Sequence, residues 1–149
     1  MKRLLVTAVL ASMVGSTETS ANEDIDFGRQ VYPILRDHCL RCHGPTYTDA
    51  KSGRRKKPKG GLRLDTIAHI KKGYENDDGE TKALIVAGEP QKSPLYTTTA
   101  LPAEHDDIMP ASGDPLSKEQ QALIQRWIRE GATFGLFKAP DYLNPKAKK

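Results

Sequence analysis

Apolar residues in this chain come in short stretches at helical spacing, set apart by loops rich in glycine and proline. Phe27, Val31, Ile34, Leu35 and His38 recur three and four residues apart and predict a helix that runs straight into Cys39. Pro33 interrupts that run; it lacks a backbone donor, so it must kink the helix or begin its second half. Asp65 is the expected N-cap of a helix over 66–72 that Gly73 stops, and Ser93 followed by Pro94 starts a short helix carrying Leu95 and Tyr96. The clearest helix is the last. Ser117 and Gln120 form an S-x-x-Q capping box, Leu123, Ile124, Trp127 and Ile128 share one face, and Gly131 closes it. Strand signals are confined to short runs such as 83–87, which could equally be irregular, and there is no internal repeat. The economical expectation is an all-α fold of short helices and long loops.

The first residues follow a different logic. Met1-Lys2-Arg3 is a positive start, and Leu4 to Gly15 is an uncharged, mostly apolar stretch of the length of a secretory h-region, too short for the roughly 20 helical residues that span a bilayer. Thr19 and Ala21 supply small residues for cleavage near Ala21. The expectation is therefore a signal peptide over 1–21, a single domain over 22–149, and a soluble product that is periplasmic or otherwise exported. Nothing after the leader is apolar and long enough to serve as a transmembrane segment.

Composition changes this picture in two places. With three Phe, five Tyr and one Trp among 149 residues, the core has few large side chains to fill it, and a bound apolar cofactor would suit the shortage. The formal net charge is +4, and one unit less once Lys2, Arg3 and Glu18 leave, which is too small an excess to argue for nucleic acid. The charge is nevertheless uneven. Lys51, Arg54, Arg55, Lys56, Lys57 and Lys59 fall within nine residues with no acidic residue among them. Such a run is either a solvated loop or a docking patch for an acidic partner.

The chain has two cysteines, and Cys39-Leu40-Arg41-Cys42-His43 reads C-x-x-C-H, the attachment motif of c-type haem. One helical turn puts positions i and i+3 on one side, within reach of the two vinyl groups on one haem edge. Each thiol adds to a vinyl as a thioether, and His43 then lies under the iron as the proximal ligand. Other chemistries use the same residues: a thioredoxin-like thiol oxidoreductase, which would need a βαβ context not seen here; a plain disulfide, the natural alternative for an exported pair; and structural zinc, which would have to recruit a fourth ligand. For the iron's other face the candidate is Met109, the one methionine left once Met1 and Met13 depart with the leader. Its polar neighbours Asp106, Asp107, Ser112 and Gly113 are a poor setting for a core residue. His105 is the competitor; His38 is expected to face the wrong way and His69 to lie on a helix surface.

With helix, C-x-x-C-H, sixth-ligand loop and last helix in that order, the chain resembles class I c-type cytochromes, and most closely the Planctomycete-type cytochrome c domain. The residues that carry the likeness are Val31, Pro33-Ile34-Leu35, Cys39 through Pro45, Lys59-Gly60-Gly61-Leu62-Arg63-Leu64-Asp65, Ile85 through Pro90 with Ser93 and Leu95, Met109-Pro110, and Leu116-Ser117 through Trp127-Ile128 and Gly131-Ala132. The Gly-Gly-Leu-Arg-Leu-Asp string is the most family-specific. Three departures stand out: Ala87 and Ala111 replace prolines common in the family, and the basic stretch from Thr46 to Pro58 looks like an insertion.

The resemblance implies a cytochrome c-like domain wrapped around one covalently bound haem c per chain, its iron held by His43 and Met109. With both axial sites filled no position is open to substrate, so the expected work is single-electron transfer between redox proteins and not enzymatic catalysis. The alternative is a haem-based sensor or small-ligand binder with a displaceable Met109. Redox protein partners, with acidic ones as candidates, and a monomeric state complete the expectation.

Overall fold

A computed structural model describes residues 24–138; the expected signal peptide lies outside them. Four abutting helical pieces, Phe27–Val31, Tyr32–Ile34, Leu35–Cys39 and Leu40–His43, form one continuous segment, α1. Its start is capped in both directions. The Asp26 side chain accepts from the Arg29 N–H at 2.9 Å, and the Asp26 N–H donates to Gln30 Oε1 at 2.8 Å. Around Pro33 the helix widens rather than breaks: Tyr32 N–H bonds Phe27 O and Leu40 N–H bonds Leu35 O, each five residues back. A proline leaves the carbonyl four residues before it without its usual donor, and π-type turns on either side absorb that loss.

After α1 come β1 (Tyr47–Thr48) and β2 (Arg55–Lys56), which pair antiparallel, and a 3₁₀ turn at Lys59–Gly61. Then follow α2 (Ile67–Lys72), the antiparallel pair β3 (Tyr74–Glu75) and β4 (Thr81–Lys82), a second 3₁₀ turn at Pro90–Lys92, α3 (Pro94–Thr97) and α4 (Lys118–Arg129). The all-α expectation is thereby corrected: the described residues mix helices with two small antiparallel sheets. Turn chemistry closes both hairpins. Asp49 Oδ1 accepts from the backbone N–H of Lys51 and Ser52 and from Ser52 Oγ, while Gly53 takes a positive φ of 65°. Asn76 Oδ1 accepts from Glu80 N–H, and the Asn76 and Glu80 backbones also pair. The run 83–87 is irregular; the strand lies just before it.

The other elements stand near their predicted places. The capping box of α4 forms from Ser117 and Gln120. The cap of α2 is Thr66 and not Asp65, because the Asp65 carboxylate is forked by Arg63 at 2.9 and 2.5 Å and is nearly buried. Gly73 then ends α2 with φ 81°, and a Cβ there would run into the Lys82 carbonyl across the second hairpin, so this position needs glycine.

Helices α1 and α4 pack against each other through Phe27, Val31, Leu35, Ile124, Trp127 and Ile128, with Leu64, Ile70, Leu84, Leu95 and Leu116 closing the core. Aromatic rings gather on one side of it. Phe27 meets Trp127 at 5.1 Å, Phe134 at 4.7 Å and Phe137 at 5.1 Å between ring centres, and Tyr32 meets Phe137 at 4.5 Å. No described helix is long and apolar enough to cross a membrane.

Candidate functional site

The C-terminal turn of α1 opens onto a cavity of about 540 Å³. Cys39, Cys42, His43 and Met109 all line it. The rest of the wall is aliphatic or polar, with Leu62, Leu84, Leu95, Pro94, Thr98 and Thr99 prominent, and Tyr74 is the one aromatic residue among the lining side chains. Five of the scarce aromatic rings, Phe27, Tyr32, Trp127, Phe134 and Phe137, gather instead in the cluster around Phe27, and none of these five lines the cavity.

Two features hold the His43 end. Gly44 follows with an extended backbone, and a Cβ there would collide with the Leu40 carbonyl, so the chain can leave the helix directly behind His43 only with glycine. The Gly-Gly-Leu-Arg-Leu-Asp segment then folds back over it: the Leu64 N–H donates to the His43 carbonyl at 2.8 Å, and Leu62 joins the cavity wall. The imidazole Nδ1 of His43 is buried with no hydrogen-bond partner among the described residues. Burial pushes the His43 pKa below the ordinary histidine value, opposed in part by the nearby backbone of Leu62 and Lys59. The ring is therefore neutral near pH 7, with a lone pair to donate. Burial also pushes the Cys39 thiol up to about 11, with the neighbouring Cys42 adding to the effect.

The Met109 end is held by a different set of bonds. Met109 N–H donates to Thr98 O at 3.0 Å, tying the loop back to the end of α3. Gln121, buried on α4, donates through Nε2 to Thr99 O and Leu116 O, both at 3.0 Å, and so clamps the two ends of the loop that carries Met109. Neither carbonyl has another partner among the described residues. Sequence reasoning passed over Gln121, although it falls three residues before Ile124 and seven before Ile128 on the buried face.

The histidines separate clearly. His105 is not part of the cavity wall; its side chain is 45% exposed and its Nδ1 accepts from the Asp107 N–H at 3.0 Å. His69 lies on α2, with Nδ1 at 2.6 Å from Thr66 Oγ1 and 3.5 Å from Asp65 Oδ1. His38 departs from expectation, because it does line the cavity. The Gln120 amide contacts its Nε2 at 3.1 Å, and since Gln120 Oε1 is engaged by the Ser117 N–H, the amide nitrogen is the donor to His38. The cap of α4 is thus bonded to α1 next to Cys39.

The basic run proves to be the first hairpin, exposed along its length, and it ends at Lys59 on the cavity wall. The family model for Planctomycete cytochrome C matches residues 39–113, half of the chain, from the first cysteine through the Met109 loop. The chain belongs to this family. No curated protein and no solved structure matches this cytochrome. The matched region holds both ends of the cavity wall together with the whole basic hairpin; α4, which clamps the Met109 loop, lies beyond it.

Proposed function

We propose that this cytochrome is an exported monohaem electron carrier, with one haem c attached through Cys39 and Cys42 and its iron held between His43 and Met109. The observation that carries the reading is the meeting, on one cavity wall, of two thiols one turn apart, a neutral buried imidazole and the thioether of Met109. The donor set fits the group. Each Cys S–H would add across a vinyl double bond of the haem, giving a thioether with no net oxidation or reduction. His43 would offer the iron a nitrogen lone pair and Met109 a sulfur one. Bound haem supplies a one-electron Fe(III)/Fe(II) couple, and a thioether ligand favours the reduced state. The aliphatic wall of Leu62, Leu84 and Leu95 keeps water from the site. No residue is needed as acid, base or nucleophile.

Production in an exporting host with a haem-attachment system, followed by acid extraction of loose haem and an absorption spectrum, tests the proposal. Colour that stays with the chain is the expected result; colour that washes out overturns covalent attachment. Ready binding of carbon monoxide or cyanide by the purified protein would favour a ligand sensor with a displaceable Met109 over a carrier.

A further inference from the structure

Two hairpins of opposite charge adjoin the cavity. The first, over 47–59, carries Lys51, Arg54, Arg55, Lys56, Lys57 and Lys59 against one carboxylate, Asp49, which is already engaged by Ser52. The second, over 74–82, carries Glu75, Asp77, Asp78 and Glu80 against one cation, Lys82. All these charged residues but Asp49 are exposed along both hairpins. The two meet at their bases, where the Lys59–Gly61 turn packs on β3, and both Lys59 and Glu75 line the cavity. Yet no ion pair joins them among the described residues. Glu80 is paired with Lys82 at 2.7 Å and Glu75 with Lys72 at 4.0 Å, whereas Asp77, Asp78 and the six cations of the first hairpin form no ion pair within 4 Å, Lys56 acting on Asp49 only at longer range.

A plainly acidic partner would satisfy the first hairpin and be repelled by the second. A second copy of this chain satisfies both, because a two-fold axis sets patch i on patch j and patch j on patch i in a single contact. We propose that two copies of this cytochrome pair through the cavity rim, the basic hairpin of each lying against the acidic hairpin of the other. The pairing itself needs no haem. Its consequence, a short path for electrons between two like sites, rests on the haem reading above, so the association is measured by mass and not by colour.

Sedimentation equilibrium of the purified holoprotein over a concentration series tests it. At about 0.01 M salt, where charges act over roughly 30 Å, the weight-average mass should climb from one chain towards two; at about 1 M, where the range is roughly 3 Å, it should return to one. Reversing the first hairpin (Arg54→Glu, Arg55→Glu, Lys56→Glu, Lys57→Glu) or the second (Asp77→Lys, Asp78→Lys) should leave each variant monomeric at low salt. Mixing the two variants should restore two-chain particles, since one then bears two acidic hairpins and the other two basic ones; that rescue also shows that both are folded. A parent that stays monomeric at low salt, an association indifferent to salt, or a variant mixture that stays monomeric overturns the proposal.

Discussion

Replacing Gln121 with Leu is the most informative single perturbation of this fold, because it roughly keeps the side-chain volume, adds no sulfur near the proposed iron site, and removes both donors that clamp the Met109 loop. The Thr99 and Leu116 carbonyls would be left buried with no partner among the described residues. An unsatisfied buried polar group costs about 1 to 3 kcal/mol, so two such carbonyls, less the gain from burying an apolar side chain, put the loss at about 2 to 4 kcal/mol. For a domain of this size that is a fall in Tm of roughly 10 °C. The assay is urea unfolding of parent and variant, where a slope of about 1 to 3 kcal/mol per M converts the loss to a midpoint lower by about 1 to 2 M. The site should respond as well. With the loop freed at both ends, the sulfur-ligated ferric absorption should weaken while haem stays attached through Cys39 and Cys42. A variant within about 0.5 kcal/mol of the parent, the scatter expected of substitutions that touch nothing important, would refute the clamp.

Three further outcomes are expected. Converting both Cys39 and Cys42 to Ala should give haem-free, poorly folded protein, since the cavity of about 540 Å³ is then left without its occupant; a colourless variant with the parent's thermal unfolding curve would contradict this. Met109→Ala should turn the iron high-spin or water-ligated and remove the sulfur-ligated absorption, while His105→Ala, at a residue outside the cavity wall, should change neither; a spin change in the His105 variant alone would move the ligand. In the folded structure burial raises the Cys39 thiol to about 11, so in the haem-free, poorly folded parent chain the thiol should return to the ordinary value of about 8.5 and its alkylation rate should level off just above that pH; a rate that still rises tenfold per pH unit well above pH 9 would show that the fold survives without haem.

What could be read from the sequence is what neighbours along the chain decide. The C-x-x-C-H turn and the Ser117–Gln120 capping box depend on residues three or four apart, and both stand where their spacing puts them. The hairpins were hidden for the opposite reason. Each strand is two residues long and sits in a polar segment, so neither leaves the alternation that reveals a half-buried strand. Their signal lay instead in Asp49 and Asn76, whose side chains close the turns. The cap of α2 was misread by one residue because Arg63, two positions upstream, takes the Asp65 carboxylate that would otherwise have capped the helix.

Met109 raises a deeper point. Elimination singles out the residue, since no other methionine follows the expected leader, but it says nothing about what holds the loop in place. That information sits 12 residues further on, at a glutamine in register with Ile124 and Ile128 on the buried stripe of α4. A polar side chain on such a stripe must find its hydrogen bonds inside the protein or destabilise the fold. Its partners have to come from another segment, so a buried amide on a capped amphipathic helix marks where a loop docks. Here that loop carries Met109.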